Sequence, residues 1–551
     1  MSSSEMVKKN RSPSNRKILL TLVPFWSPLN PPLGITVLKS YLKQRGYEVA
    51  THDFNGEDEL WQIIDKYFKI IREAVPQSRQ GNFFMVGFDV LSNHLLAYLH
   101  KTHENKYHEL IQILVKRNYF VEVDSGVTML LDGVVTEFYG TLRESLLRVL
   151  ARVKPDLFGV SVYSTSLGPA LFAFRLVKEK YPHTETIMGG GVFADHLALD
   201  SPNFPVFLER TEDCIDTIIA GEGEILFQKY LGGQLEAGKR VYSLKDIHME
   251  NLDLKDSLIP DFSDLNLMGY SQMVTYASRS CPFQCGFCSE TVQWGRYRQK
   301  KGEQVVREMA DIQDKYGGKL FLLGDSLINP VIDDLSRSVL EKGLDVYWDG
   351  YLRADPAVGE PRKVDLWRQA GFYRARLGIE SGSQRVLDLM DKKITVEQIK
   401  AALHSLANAG IKTTTYWVIG YPGETEADFA DTLKLLGESR ADMYEADWHP
   451  FYFFPRGQVR SHRWVEEFGI EPLYPPEFTD LLLIQTWVLK TNPRREEIYD
   501  RLNRFAGACR EAGIPNPYSL DEIYQADKRW KELHPRCGPT ILELHNFNYV
   551  K

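Results

Sequence analysis

Ser278-Arg279-Ser280-Cys281-Pro282-Phe283-Gln284-Cys285-Gly286-Phe287-Cys288-Ser289-Glu290 is the stretch whose reading decides the fold. Three of the six cysteines fall within eight residues, in the spacing C-x3-C-x2-C. Three thiolates that close converge on one metal centre without help from distant chain, and soft thiolates select zinc, copper(I) or iron-sulfur clusters. A closed zinc or cluster site wants four protein ligands, and the fourth is missing locally. The spacing alone therefore leaves open a zinc knuckle completed by Cys509, Cys537 or a histidine, or three structural thiols. Gly286 lets the backbone turn tightly between two ligands, while Pro282 and Phe283 suit a stiff loop with an apolar cover.

Downstream, strand and helix patterns alternate. Strands are expected at 272–278, 319–324, 345–351, 374–379, 412–419 and 443–448. Helices lie between them, including 303–316 and 395–409; the latter opens with Thr395 and Gln398 at capping-box spacing and closes on Gly410. Six βα units over 269–455 make a partial TIM-like barrel, in which function sits at the carboxyl ends of the strands. After the first strand come the cysteines, and after the second Gly324-Asp325-Ser326. Arg353, Glu380-Ser381-Gly382, Gly420-Tyr421-Pro422-Gly423-Glu424 and His449 follow the next four. Each alone reads as a cap or turn; their joint placement points to a site.

Upstream, 16–238 reads as a doubly wound α/β domain. Strand 17–26, helix 31–46 and strand 47–54 form a βαβ unit. From about 56 to 152 the pattern turns helical and irregular, an insertion in which His94, His100, His103 and His108 share no metal-ligand spacing. Alternation resumes at 157–165 and leads through a strand at 185–188 into Gly189-Gly190-Gly191, then through 214–220 into Gly221-Glu222-Gly223-Glu224. In such sheets ligands bind beyond the carboxyl ends of strands, where glycines let backbone approach closely, although a glycine triplet is equally a tight turn. Residues 1–15 read as a loose tail and 239–268 as a polar, proline-interrupted linker. A helical extension covers 456–551, including LLLIQTWVLK from Leu481 and a helix from Glu496, and ends in a Trp-, His- and Tyr-rich tail. Such an extension is placed to cap the barrel mouth, with Tyr452, His449 and Arg456 on the substrate side. Cys509 suits helix packing, and Cys537, in a loop, is the more reactive of the two.

The chain has 551 residues, 43% hydrophobic and 25% charged, the balance of a globular protein of several units. A net charge of -8 with no Lys/Arg stripe clear of acidic neighbours excludes a nucleic-acid footprint. No apolar run is long enough to span a bilayer, and the first 15 residues lack a signal-peptide pattern. Six cysteines, half of them clustered, fit a reducing, cytoplasmic setting.

C-x3-C-x2-C followed by a barrel-like repeat resembles the radical S-adenosylmethionine (SAM) enzymes. The resemblance implies that Cys281, Cys285 and Cys288 hold a [4Fe-4S] cluster whose open iron takes the amino and carboxylate groups of SAM. It implies Asp325 and Ser326 at the SAM ammonium, Arg353 at the carboxylate, Glu380 and Ser381 at the ribose, and Ile419, Gly420, Pro422 and Gly423 at the adenine. The PPLG element, the GGG turn and the strand into GEGE resemble the cobalamin-binding domain preceding the barrel in one large class of that family. Pro32, Gly34, Ser161, Ser164, Thr165, Gly189, Gly190, Gly191, Gly221, Glu222 and Gly223 are carried over as cobalamin or inter-domain contacts. The D-x-H-x-x-G motif of a cobalt-ligating histidine is absent. The resemblance implies methyl transfer to an unactivated carbon or phosphorus through a 5'-deoxyadenosyl radical. Tyr452, His449 and Cys537 are its catalytic candidates, a small molecule or peptide its substrate, and flavodoxin or ferredoxin its electron donor. The alternatives are a non-methylating cyclisation or rearrangement on the same cofactors, and a non-catalytic iron-sulfur carrier or sensor.

Overall fold

β1 (Lys17–Leu22) is apolar along its length and buried on both faces, as a central parallel strand must be. A computed structural model describes residues 16–24, 29–518, 520–539 and 543; the expected tail, the end of the first expected strand at 25 and 26, and the aromatic end of the chain lie outside the described residues. After β1 come α1 (Leu33–Gln44), β2 (Glu48–Asp53), and four helices where such folds place one: α2 (Asp58–Ala74), α3 (Phe83–Tyr98), α4 (Glu104–Tyr119) and α5 (Ser125–Val153). β3 (Leu157–Ser161), α6 (Leu167–Lys180), β4 (Glu185–Gly189), α7 (Asn203–Arg210), β5 (Thr217–Ala220), α8 (Gly223–Leu231) and β6 (Val241–Ser243) complete the domain. Every neighbouring pair is parallel, in the order β2-β1-β3-β4-β5-β6. The order reverses at β1 and β3, so the connections leave their carboxyl ends in opposite directions and open a crevice there.

The inserted helices share one apolar core with α6 and the carboxyl-terminal region. His94, fully buried between the Tyr67 and Tyr107 hydroxyls at 3.0 and 2.8 Å, is held neutral because burial lowers its pKa to about 3. It is a core histidine.

The stretch expected to be linker begins as β6, the sheet's sixth strand, and continues in short turns fastened to α1. Lys39, 1% exposed, reaches Asp264 at 2.8 Å and Asp261 at 3.3 Å. Buried charge needs such partners, so the segment is pinned where composition alone suggested slack.

β7 (Met273–Thr275) opens the second domain, followed by β8 (Ser278–Arg279), α9 (Glu290–Trp294), β9 (Arg298–Gln299) and α10 (Gly302–Tyr316). Then alternate β10 (Leu320–Leu323), α11 (Ile332–Lys342), β11 (Tyr347–Arg353), α12 (Pro361–Gln369), β12 (Phe372–Glu380), α13 (Gln384–Leu389), α14 (Val396–Asn408), β13 (Lys412–Ile419), α15 (Glu426–Glu438) and β14 (Glu445–Pro450). The sheet runs β14-β13-β12-β11-β10-β7, parallel throughout and in sequence order, which is an open barrel. Thr395 caps α14 with Gln398 in a reciprocal box, as its spacing predicts.

The carboxyl-terminal region is not all helix. α16 (Ser461–Phe468) leads into β15 (Ile470–Pro472); α17 (Thr479–Leu482) stops at Leu483, whose φ of 62° is left-handed, and β16 (Trp487–Leu489) pairs antiparallel with β15. The expected helix from Leu481 is therefore not formed: it stops after Leu482 and the chain turns into a short strand, because Trp487-Val488-Leu489 is a β-forming run with a partner in reach. α18 (Arg495–Glu511) and α19 (Leu520–Leu533) follow.

Candidate functional site

Two cavities adjoin, one of about 710 Å³ between the domains, beyond the carboxyl ends of β1, β3, β4 and β5, the other of about 370 Å³ in the barrel mouth. Glu290, Ser326, Tyr351 and Arg376 line both, so the cavities meet at a common wall.

The smaller cavity holds Cys281, Cys285 and Cys288. Burial pushes the Cys281 and Cys288 thiols up, Cys288 to about 12, so as free thiols they stay protonated and a bound metal is what would ionise them. The loop is stiffly set: Cys288 N–H donates to the Cys285 carbonyl at 3.0 Å, Gly286 N–H to Met390 at 2.8 Å, and Val459 N–H to Cys288 at 3.1 Å. Gly286 is needed for a reason other than the expected tight turn. A Cβ there would come within 2.7 Å of the Arg460 side chain, while its φ is not in the left-handed region.

Arg353 lies over the Phe283 ring at 3.9 Å, donates from Nε to Asp355 at 2.9 Å and points Nη1 at Cys285 Sγ from 3.8 Å. Its Nη2 is buried without a partner, a donor aimed where an anionic ligand would sit. Glu380, at a left-handed φ of 67° on a bulge of β12, meets Lys392 Nζ at 2.7 Å. Ser326 donates to Glu290 at 2.5 Å.

Other expected SAM contacts lie off both cavity walls. Asp325 is spent on bracing β8: it accepts from Ala277 N–H at 2.9 Å and Ser278 Oγ at 2.5 Å, and burial raises its carboxyl to about 6. Ser381 is buried against Thr432 at 3.2 Å. Ile419, Gly420, Pro422 and Gly423 are also outside both linings, and two of them meet the carboxyl-terminal region: a Cβ on Gly420 would be 2.4 Å from Ile498, and Gly423 N–H donates to Asn492 at 2.7 Å.

His449 and Tyr452 line the smaller cavity; Cys537 does not. Cys537 sits against the Tyr444 and Trp530 cluster, where Gly538 N–H reaches the Gly410 carbonyl just before β13. That is the amino-terminal end of the strands, so its catalytic candidacy is withdrawn. Cys509 is fully buried in α18, and Arg456 turns to His462; neither lines the cavity, so Cys509 and Cys537 are not fourth ligands. Helix α3 of the insertion reaches this wall. Asn82, its N-cap, donates to Asp447 at 3.1 Å and to the Trp448 carbonyl at 2.8 Å, and Tyr452 donates to Asp89 at 2.8 Å. Burial raises Asp89 to about 6. Burial opposes the charge on His449, yet Asp447 at 3.1 Å carries its pKa above the ordinary value.

Pro32, Gly34, Ser161, Gly189, Gly190, Gly191, Gly221, Glu222 and Gly223 line the larger cavity, whereas Ser164 and Thr165 fall in the turn behind it. At Gly190, φ 110°, a Cβ would strike Val162 N at 2.4 Å. Gly34 has open space where its Cβ would be, at the first turn of α1, a place for a ligand to lie against the helix. Among the described residues, none that lines it is a histidine. Glu222 is turned to Arg279 and Arg298, an inter-domain contact. Lys392, Arg376, Tyr351, Glu290 and the insertion's Asn82 and Asp89 carried no motif and were missed; only Glu290, two residues past the last cysteine, stood near a signal.

Residues 275–436 match the family model described as the radical SAM superfamily. Over 338 residues the chain is 26% identical to the anaerobic magnesium-protoporphyrin IX monomethyl ester cyclase of Rubrivivax gelatinosus, covering 56% of this chain and 58% of the relative. It is 23% identical to the cytidylyl-2-hydroxyethylphosphonate methyltransferase of Streptomyces wedmorensis, over 62% of this chain and 71% of that one. The first curated relatives are thus matched over less than two thirds of their length. In fold it is similar to TsrM, a radical S-adenosylmethionine methyltransferase from Kitasatospora setae solved with cobalamin and a [4Fe-4S] cluster, at 14% identity and a TM-score of 0.57, covering 97% of this chain and 93% of TsrM. With its three cysteines at the mouth of an open parallel barrel, behind a doubly wound sheet, this chain carries a radical SAM domain over residues 275–436.

Proposed function

We propose that this protein is a cobalamin-dependent radical SAM methyltransferase acting on an unactivated carbon or phosphorus of a small molecule or peptide. The observation that carries it is the common wall of the two cavities, which lets one substrate atom face both cofactors. The cluster with SAM supplies a carbon-centred radical, and cobalamin a transferable methyl group. Cys281, Cys285 and Cys288 hold the cluster and leave one iron free. Arg353 Nη2 takes the SAM carboxylate, and Glu380, tied to Lys392, stands on the same wall. The glycine-rich ends of β4 and β5, with Pro32 and Gly34, cradle the corrin face by close backbone approach. Among the described residues, the lining holds no histidine that would meet cobalt. The substrate lies against Tyr351, Arg376, His449 and Tyr452, while Phe283, Phe287, Leu352 and Phe451 in the same lining exclude water from a radical. A low-potential carrier such as flavodoxin or ferredoxin supplies the electron. Among the described residues no helix is long and apolar enough to cross a membrane.

The test is anaerobic reconstitution with iron, sulfide and hydroxocobalamin, reduction in the presence of SAM, and mass spectrometry of products with candidate substrates. Binding of both cofactors and a methylated product support the reading; four-coordinate zinc at the cysteines ends it. A second reading, radical cyclisation on the same cofactors, is favoured by the cyclases among the relatives. Substrate consumed with 5'-deoxyadenosine formed and no methyl gained would select it.

A further inference from the structure

Four charged side chains tie the two domains together at the base of the cysteine loop. Glu222, N-cap residue of α8, reaches Arg279 Nη1 at 2.8 Å with one oxygen and Arg298 Nη2 at 2.5 Å with the other; Glu224, two residues on, reaches Arg279 Nη2 at 2.5 Å. Both carboxylates are about 5% exposed, and neither arginine more than 17%. The carbonyl and N–H of Leu252 complete the knot, accepting from Arg298 at 2.7 Å and donating to Glu222 at 3.1 Å. The Arg279 guanidinium also lies 5.0 Å from the Tyr276 ring and 5.4 Å from that of Trp294.

Where these residues stand gives the knot its use. Gly221 to Glu224 form one wall of the larger cavity. Arg279 and Arg298 pair across the two-stranded ribbon β8-β9, from which the loop 280–297 projects with all three cysteines. Ser280, fully buried at a left-handed φ of 71°, donates to the Gly295 carbonyl at 2.6 Å and closes that loop at its base. The loop's own helix puts Val292, Gln293 and Trp294 into the larger cavity. A buried ion pair adds little net stability over an apolar contact of the same shape, but it fixes geometry, and losing one partner strands a charge.

We propose that Glu222 and Glu224 are positioning residues that hold the cysteine loop in one register against the cobalamin turn and so set the distance between the two cofactors. This rests on the cobalamin reading above. The experiment uses the full chain reconstituted with iron, sulfide and cobalamin, then reduced so that the cluster and cob(II)alamin are both paramagnetic. Electron paramagnetic resonance reads the spin–spin coupling between them. The wild type is expected to give one resolved splitting. Glu222→Gln and Glu224→Gln, at unchanged iron and cobalamin content, are expected to lose it to a broad envelope. Glu224→Gln touches a single ion pair and keeps the test alive if Glu222→Gln does not fold. An unchanged splitting, even with a lowered melting temperature, overturns the proposal and leaves the ion pairs merely structural. A wild type that takes up the cluster but no cobalamin overturns the underlying reading, and the proposal with it, before any variant is made.

Discussion

The two cavities differ in how they are lined. The larger sets backbone and small residues, Gly34, Gly189 to Gly191, Gly221 and Gly223, over an apolar floor of Leu20, Leu22, Ile187 and Ile219, with Glu222, Glu224 and Arg279 also in its lining. The smaller brings thiols and charged side chains, Arg353, Glu380, Lys392, Arg376 and His449, to a wall otherwise made largely of apolar groups such as Phe283, Phe287, Leu352 and Phe451. A large, preformed ligand is held by contact area and shape, which demands that side chains be missing. A small charged ligand at a metal is held by directed donors, which demands that side chains be present. The difference teaches where each cavity is vulnerable: the first to an added methyl group, the second to a removed charge.

That contrast can be broken at four points. Cys285→Ala should abolish reductive SAM cleavage while cobalamin uptake, read by absorbance, stays near wild type; retained cleavage would remove the cluster from the smaller cavity. Gly190→Ala adds a Cβ 2.4 Å from Val162 N at a left-handed φ. Cobalamin retention should be lost while iron content holds, and loss of iron as well would mean that the two walls fold as one. Arg353→Met removes a charged donor worth about 1.5–3 kcal/mol, so SAM should bind about 10- to 100-fold more weakly to a cluster of unchanged iron content. Asp89→Asn tests the insertion's hold on Tyr452. Folded Asp89 titrates at about 6 against an ordinary 3.8, because burial disfavours its charge. Between those values the folded chain keeps a proton that the unfolded chain has released, so this contribution is full below the unfolded value and lost as pH rises through the folded one. It is on the order of 3 kcal/mol, and the variant should flatten the fall in melting temperature across that window. Asp53 and Asp325, also raised to about 6 by burial, keep part of the slope.

Much of the barrel was legible because its strands alternate regularly with amphipathic helical segments, and local pattern is what periodicity reads. The cysteines and Arg353 were legible for the same reason, each following a strand directly. Residues supplied from elsewhere were not. Lys392 acts through Glu380 across a loop, and Asn82 and Asp89 come from an insertion more than 350 positions before the residues they hold. Asp325 and Gly420 were placed at the right strand ends, but packing turned one toward β8 and the other toward α18. Cys537 looked reactive because it lies in a loop, and only the return of the chain to Gly410 shows it at the wrong end of the strands.

By itself the sequence determined most elements of the two α/β domains, their order and the metal-binding spacing, since these depend on residues a few positions apart. The tertiary structure decided which strand-end side chains face a cavity, that the two cavities meet at Glu290, Ser326, Tyr351 and Arg376, and that Glu222 and Glu224 grip the base of the cysteine loop. Those are contacts between distant segments, and their partners are chosen by packing and buried charge rather than by local spacing.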